Sequence, residues 1–105
     1  MGRDYLGEFE HLVLLAVMRL GDDAYGVTIR RLIAERADRE VSFGAVYSTL
    51  RRLAAKGLLE FREESATGEA GGRPRRIAVM TAAGDEAVRA ARQRLLRMSE
   101  GLLAD

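Results

Sequence analysis

Apolar residues recur at helical spacing from the start of the chain. Phe9, Leu12, Val13, Ala16, Val17 and Leu20 follow i, i+3, i+4, i+7, i+8, i+11, one face of an α-helix. Leu14, Leu15 and Met18 add a second apolar stripe, so this helix must be covered on most sides. Gly21-Asp22-Asp23 breaks the pattern and offers an N-cap for a second helix over about residues 24–36, with Tyr25, Ile29, Leu32, Ile33 and Arg36 on one face. After the polar stretch 37–41, Ser42 is the expected N-cap of a third helix running to about Lys56. Its inward stripe is Val46, Leu50 and Leu53, and Gly57 is its C-terminal stop.

The period then changes to two. Leu59 and Phe61 alternate with Glu60 and Arg62, which predicts a strand over residues 58–64. Residues 65–74 hold Gly68, Gly71, Gly72 and the only proline, and read as a loop between strands. A return strand is expected over residues 75–80, with Ile77 and Val79 on one side. Thr81 should cap a fourth helix reaching Leu102 or Leu103, on which Val88, Ala91, Leu95, Met98 and Leu102 form an a/d seam. The fold class is therefore mainly α with a two-stranded β-hairpin. Three helices, a hairpin and a long helix predict a winged helix-turn-helix over residues 1–80 and a C-terminal dimerisation helix over residues 81–105.

Composition narrows the chemistry. With 105 residues the chain can bury one thin core, and it has 0 Cys and 1 His. Disulfides and thiolate zinc are excluded, a histidine metal site has almost no material, and no cofactor is expected. No nucleophile–base pairing stands out among the Asp and Glu residues, so an enzyme is not expected. No run approaches a membrane span and no signal peptide opens the chain, so the expected setting is cytoplasmic.

The 17 basic and 16 acidic residues give a net charge of +1, which argues against nucleic acid until the charges are placed. Residues 1–40 carry six basic against eight acidic groups, residues 41–80 seven against four, and residues 81–105 four of each. The basic excess lies in two clusters, Arg51/Arg52/Lys56 and Arg73/Arg75/Arg76. These fall on the third helix and the hairpin, the two elements a winged helix presents to DNA. The expected DNA-binding residues are Ser42, Tyr47, Ser48, Arg51 and Arg52 on the helix and Arg73, Arg75 and Arg76 on the wing. The arginines would neutralise phosphate or read guanine edges, and the hydroxyls would donate to phosphate. Ser42 serves equally as a plain helix cap. The expected dimerisation residues are Leu14, Leu15 and Met18 of the first helix and Val88, Ala91, Leu95, Met98 and Leu102 of the fourth.

The segments Leu6-Gly7-Glu8-Phe9-Glu10, Gly21-Asp22-Asp23-Ala24-Tyr25-Gly26, Val41 to Leu53, Lys56-Gly57-Leu58 and Gly71-Gly72-Arg73-Pro74-Arg75-Arg76 resemble the PadR family of bacterial transcriptional regulators over about residues 5–84. The resemblance implies a homodimeric repressor on palindromic double-stranded DNA, paired through the C-terminal helix with help from the first. It also implies a small hydrophobic effector as a further partner. Ile77-Ala78 stands where the family often has an aromatic pair, so aromatic packing beneath the wing is expected to be missing. The competing reading is a winged-helix module that binds protein and not DNA, favoured by the acids Glu63, Glu64 and Glu69 on the hairpin's other limb.

Overall fold

The computed structural model describes residues 5–64 and 75–103. Four helices and one hairpin appear in the expected order: α1 (Glu8–Leu20), a 3-10 turn (Gly21–Asp23), α2 (Gly26–Arg36), α3 (Phe43–Ala55), β1 (Leu59–Glu64), β2 (Arg75–Met80) and α4 (Ala82–Ser99). The strands pair antiparallel, from Leu59 opposite Met80 to Glu64 opposite Arg75.

The core lies where the first three helices and the sheet converge. Val13, Leu14, Ala16 and Val17 of α1 meet Ile29 and Ile33 of α2, Val46, Leu50 and Leu53 of α3, Leu58, Leu59 and Ala78 of the wing and Val88 of α4. Leu14, expected on a dimer face, is fully buried within this core and has no free surface for a partner. Val88 and Ala91 are likewise covered by their own chain. Leu15 and Met18 are exposed, as are Leu95, Leu96, Met98, Leu102 and Leu103 at the far end of α4.

The caps explain the element boundaries. The Ser42 hydroxyl accepts the Ala45 N–H at 3.0 Å and starts α3 as expected. At its end Gly57 has φ +79°, a left-handed conformation that costs glycine nothing. The Leu58 and Gly57 N–H groups bond back to the Leu53 and Ala54 carbonyls at 3.0 and 2.9 Å, closing the helix while turning the chain into β1.

Two boundaries differ from expectation. Asp22 and Asp23 do not cap α2. Ala24 donates its N–H to the Gly21 carbonyl, completing the 3-10 turn, and its own carbonyl accepts the Ala78 N–H at 2.7 Å. This bond draws Ala24 against β2, so the helix begins two residues later, with the Thr28 hydroxyl accepting the Tyr25 N–H at 3.1 Å. It also accounts for Ala78 being buried beside Ile77, while Val79 is exposed. At the other end α4 stops at Ser99, because Gly101 takes φ +81° and Leu102 N–H folds back onto the Ser99 carbonyl. The last leucines therefore extend the seam from a turn and not from the helix.

Thr81 joins α4 to the rest. Its hydroxyl accepts the Gly84 N–H at 3.0 Å and donates to the Gly57 carbonyl at 2.7 Å, and its N–H bonds the Leu58 carbonyl at 3.2 Å. Gly84 lies so close that a Cβ there would overlap the Leu58 carbonyl and press on the Met80 sulfur. Backbone cannot yield as a side-chain tip can. Gly84→Ala is expected to lower stability by roughly 1–3 kcal/mol in urea denaturation. Gly44→Ala, whose Cβ would meet only the Ser42 oxygen at 3.9 Å, should not lower it.

Candidate nucleic-acid interface

Helix α3 buries Val46, Thr49, Leu50 and Leu53 and turns its other side to solvent. Ser42, Phe43, Gly44, Ser48, Arg51 and Arg52 are exposed there, and Tyr47 is half-buried. Phe43 stacks on Tyr47 with ring centroids 6.1 Å apart, so the N-terminal half of this face carries an aromatic pair. Among the described residues Arg51 makes no ion pair, leaving its guanidinium available. Arg52 is different. Its Nε donates to Glu10 Oε2 at 3.1 Å and its Nη2 to the Thr49 hydroxyl at 3.3 Å. Lys56 donates to the same Glu10 oxygen at 3.1 Å.

The wing is bound to this helix by a side-chain contact. Arg76 donates to the Tyr47 hydroxyl at 2.8 Å and its guanidinium stacks 4.5 Å from the centre of the Phe61 ring. Arg75 lies 4.9 Å over the Tyr25 ring and donates to Glu64 at 3.2 Å. Aromatic packing is therefore present at the wing, against expectation. It is supplied by β1, by the start of α2 and by α3, and not by the positions after the basic run. Stacking lets a guanidinium keep its outward donors while its face is covered.

Acidic partners moderate the wing's charge. Glu63 is 3.7 Å from Arg76, and Arg62 reaches both Glu64 and Asp22. All are solvent-exposed pairs of the kind worth about 0–1 kcal/mol, so phosphate can displace them. Arg73, together with Gly71, Gly72 and Glu69, lies outside the described residues. Structure thus joins Arg76 to Tyr47 of α3, beside the exposed Ser42, Ser48 and Arg51, whereas Arg75, the preceding strand residue, lies against Tyr25 at the start of α2, and Arg52 is turned partly toward α1.

A family model for the transcriptional regulator PadR-like family matches residues 14–90, which run from α1 through the hairpin into α4. The chain belongs to that family. As a PadR-like protein it is a transcriptional regulator, and solved structures carry the same winged-helix fold. A PadR-like transcription factor from Bacteroides fragilis is 24% identical, with 88% of this chain and 84% of that one covered and a TM-score of 0.71. A complex structure of hsRosR-S1 is 28% identical over 91% of this chain and 78% of that one, at a TM-score of 0.65. F93 from STIV, a winged-helix DNA-binding protein, shares only 16% identity, yet the coverage is 93% and 98% and the TM-score 0.71. A comparison with curated protein sequences finds no match. Among the described residues of this PadR-like chain, no group of acidic or histidine side chains could hold a metal, and no helix is long and apolar enough to cross a membrane.

Glu10 escaped the sequence reading, although a signal existed. It precedes Val13, Leu14 and Val17 by three, four and seven residues, which puts a carboxylate on the buried stripe of α1. Burial pushes the Glu10 carboxyl up, but the Gly7 N–H, Arg52 and Lys56 together outweigh it and hold the group below 4.5. A lowered native pKa contributes stability that is complete above about pH 4.5 and disappears as pH falls through the native value. Denaturation midpoints of the native protein should therefore drop between about pH 6 and about pH 3 more steeply than those of Glu10→Gln. At neutral pH the variant should lose roughly 1–3 kcal/mol.

Proposed function

We propose that this transcriptional regulator binds double-stranded DNA in a sequence-specific manner as a homodimer, and that it acts as a repressor. The observation that carries the reading is the exposed face of α3, on which Ser48 and Arg51 stand beside a wing tied down by the Arg76–Tyr47 bond. In this reading α3 enters the major groove and the wing, with Arg73, Arg75 and Arg76, follows flanking phosphate. Ser42 and Tyr47 donate to the backbone at the edge of the groove, and Arg51 reads base edges or phosphate. Residues 1–80 form the DNA-binding unit and residues 81–105 the dimerisation segment, built on α4, whose proximal half also closes the core.

Dimerisation uses the apolar side chains left uncovered: Leu15 and Met18 on α1, and Leu95, Met98 and Leu102 toward the end of α4. Leu95, Met98 and Leu102 are each more than 60% exposed, an apolar concentration that a lone soluble chain does not tolerate well. Two copies so joined would place their α3 helices about 34 Å apart, one turn of DNA. A cleft of about 320 Å³ between the start of α1 and α4, lined by Leu6, His11, Ala91 and Leu95 among others, is where a small apolar effector would enter. Burial pulls His11 below its usual pKa, so the ring facing such a ligand is neutral near pH 7.

Selection of duplexes from a random pool tests the central reading. The protein should retain a palindromic site. Arg51→Ala should weaken binding to it about tenfold and lower the log–log salt slope by about two per dimer. Failure of the native protein to shift any duplex at low salt would leave the protein-interaction reading in its place. The dimer has its own readout. Leu95→Glu combined with Met98→Glu should sediment as a monomer, whereas a persistent dimer would put the interface elsewhere.

A further inference from the structure

We propose that Glu10 is the positioning residue of the recognition helix: it fixes the Arg52 guanidinium so that α3 discriminates between DNA sequences and does not merely attract them. The inference rests on the DNA reading above and deepens it. It begins from an apparent waste. Glu10 is only 7% exposed, on a helix whose other buried residues are Val13, Leu14, Ala16 and Val17. A buried carboxylate is costly unless fully paired. A neutral glutamine at position 10 could accept the Gly7 N–H equally well, and α1 already meets α3 through apolar side chains. Capping therefore calls for an acceptor at this position and packing for an apolar stem, but neither calls for a negative charge.

What the acid does uniquely is hold two cations of α3. Its Oε1 accepts the Gly7 N–H at 3.0 Å, which locks the carboxylate to the first turn of α1. Its Oε2 accepts Arg52 Nε and Lys56 Nζ, each at 3.1 Å. The hydroxyl of Thr49, itself a buried residue, accepts from Arg52 Nη2 at 3.3 Å. A guanidinium bonded at Nε and at one terminal nitrogen can no longer turn, because the group is planar. Roughly half of the Arg52 side chain remains exposed, one helical turn from Ser48. Its unused donors therefore face the interface in a fixed orientation. A preorganised fork suits one acceptor geometry, such as the O6/N7 edge of guanine, and rejects others. Lys56, held at the same oxygen, is kept from neutralising phosphate at large.

Loss of the Glu10 charge would free both cations. They would then serve as mobile counterions for any phosphate, so non-specific binding should strengthen while discrimination falls. A merely structural role for Glu10 would instead weaken specific and non-specific binding together.

The test compares the native protein, Glu10→Gln and Arg52→Lys on two probes: a duplex selected by the native protein from a random pool, and an unselected random duplex. Folding is monitored by circular dichroism at the assay temperature. Glu10→Gln should lower the ratio of specific to non-specific affinity about tenfold, and steepen the salt slope on the unselected duplex by up to about two per protomer. Arg52→Lys keeps the charge but has no fork. It should lower the ratio similarly with the slope nearly unchanged, and it decides the matter if Glu10→Gln does not fold. Native ratios and slopes in the folded variants, or equal loss on both probes, would overturn the positioning role while leaving the DNA reading intact. A native protein that selects no site and binds neither probe would end the DNA reading, and this role with it.

Discussion

The rest of the structure hangs on one short junction, where Gly57 and Leu58 leave α3. The left-handed glycine reverses the chain, and its carbonyl and that of Leu58 then receive Thr81. Three elements are registered there at once. The end of α3 sets the first residue of β1, β1 sets β2 through the antiparallel register, and β2 delivers Thr81 back to the point where α3 ended. Helix α3, the hairpin and α4 are thus closed into a ring of hydrogen bonds. Such bonds are satisfied only in one arrangement, and an unsatisfied buried carbonyl costs about as much as a lost hydrogen bond.

Within that frame the charges are arranged in pairs. Net charge is nearly zero, yet the basic groups near α3 do not behave alike. Arg51 is uncommitted among the described residues, Arg75 and Arg76 are stacked on rings with weak acidic partners, and Arg52 and Lys56 are held by a buried carboxylate. That is a gradient from exchangeable to fixed. Exposed pairs yield to phosphate at little cost, whereas the Glu10 pairs, half-shielded by α1, resist exchange. In the proposed DNA reading, the exchangeable cations attract the duplex and the fixed ones align it.

Much of the fold was legible because its signals are local. Ser42 and Gly57 end their helix through bonds within three or four residues of themselves, as Thr81 does in capping α4, and α3, β2 and the start of α4 fell within a residue of where these marks put them. The start of α2 was not legible: the bond that displaces it joins Ala24 to Ala78, 54 positions further along. The end of α4 differs for another reason: the seam spacing carries on to Leu102, and Gly101, which stops the helix, sits between Glu100 and the last leucines. The candidate site divides the same way. Residues on the outer face of α3 follow from helical period, but the fate of Arg52 depends on Glu10, 42 positions earlier. Leu14 shows the limit of counting stripes. Periodicity says that a residue must be covered, not whether its own chain or another does the covering.

The anchorage of α4 has a mechanical consequence. The helix is 18 residues long, about 27 Å; it is anchored at Thr81 and Gly84, packs on the core as far as Ala91, and only its last two turns stand clear. It is a stiff lever. A tilt of only about 10° at the bolted end would carry the tip through roughly 5 Å, and the close approach of Gly84 to the Leu58 carbonyl leaves no slack to absorb it. A body that grips Leu95 and Met98 therefore pulls, through α4, on the junction where α3 ends, and strain on α3 is reported, magnified, at the tip.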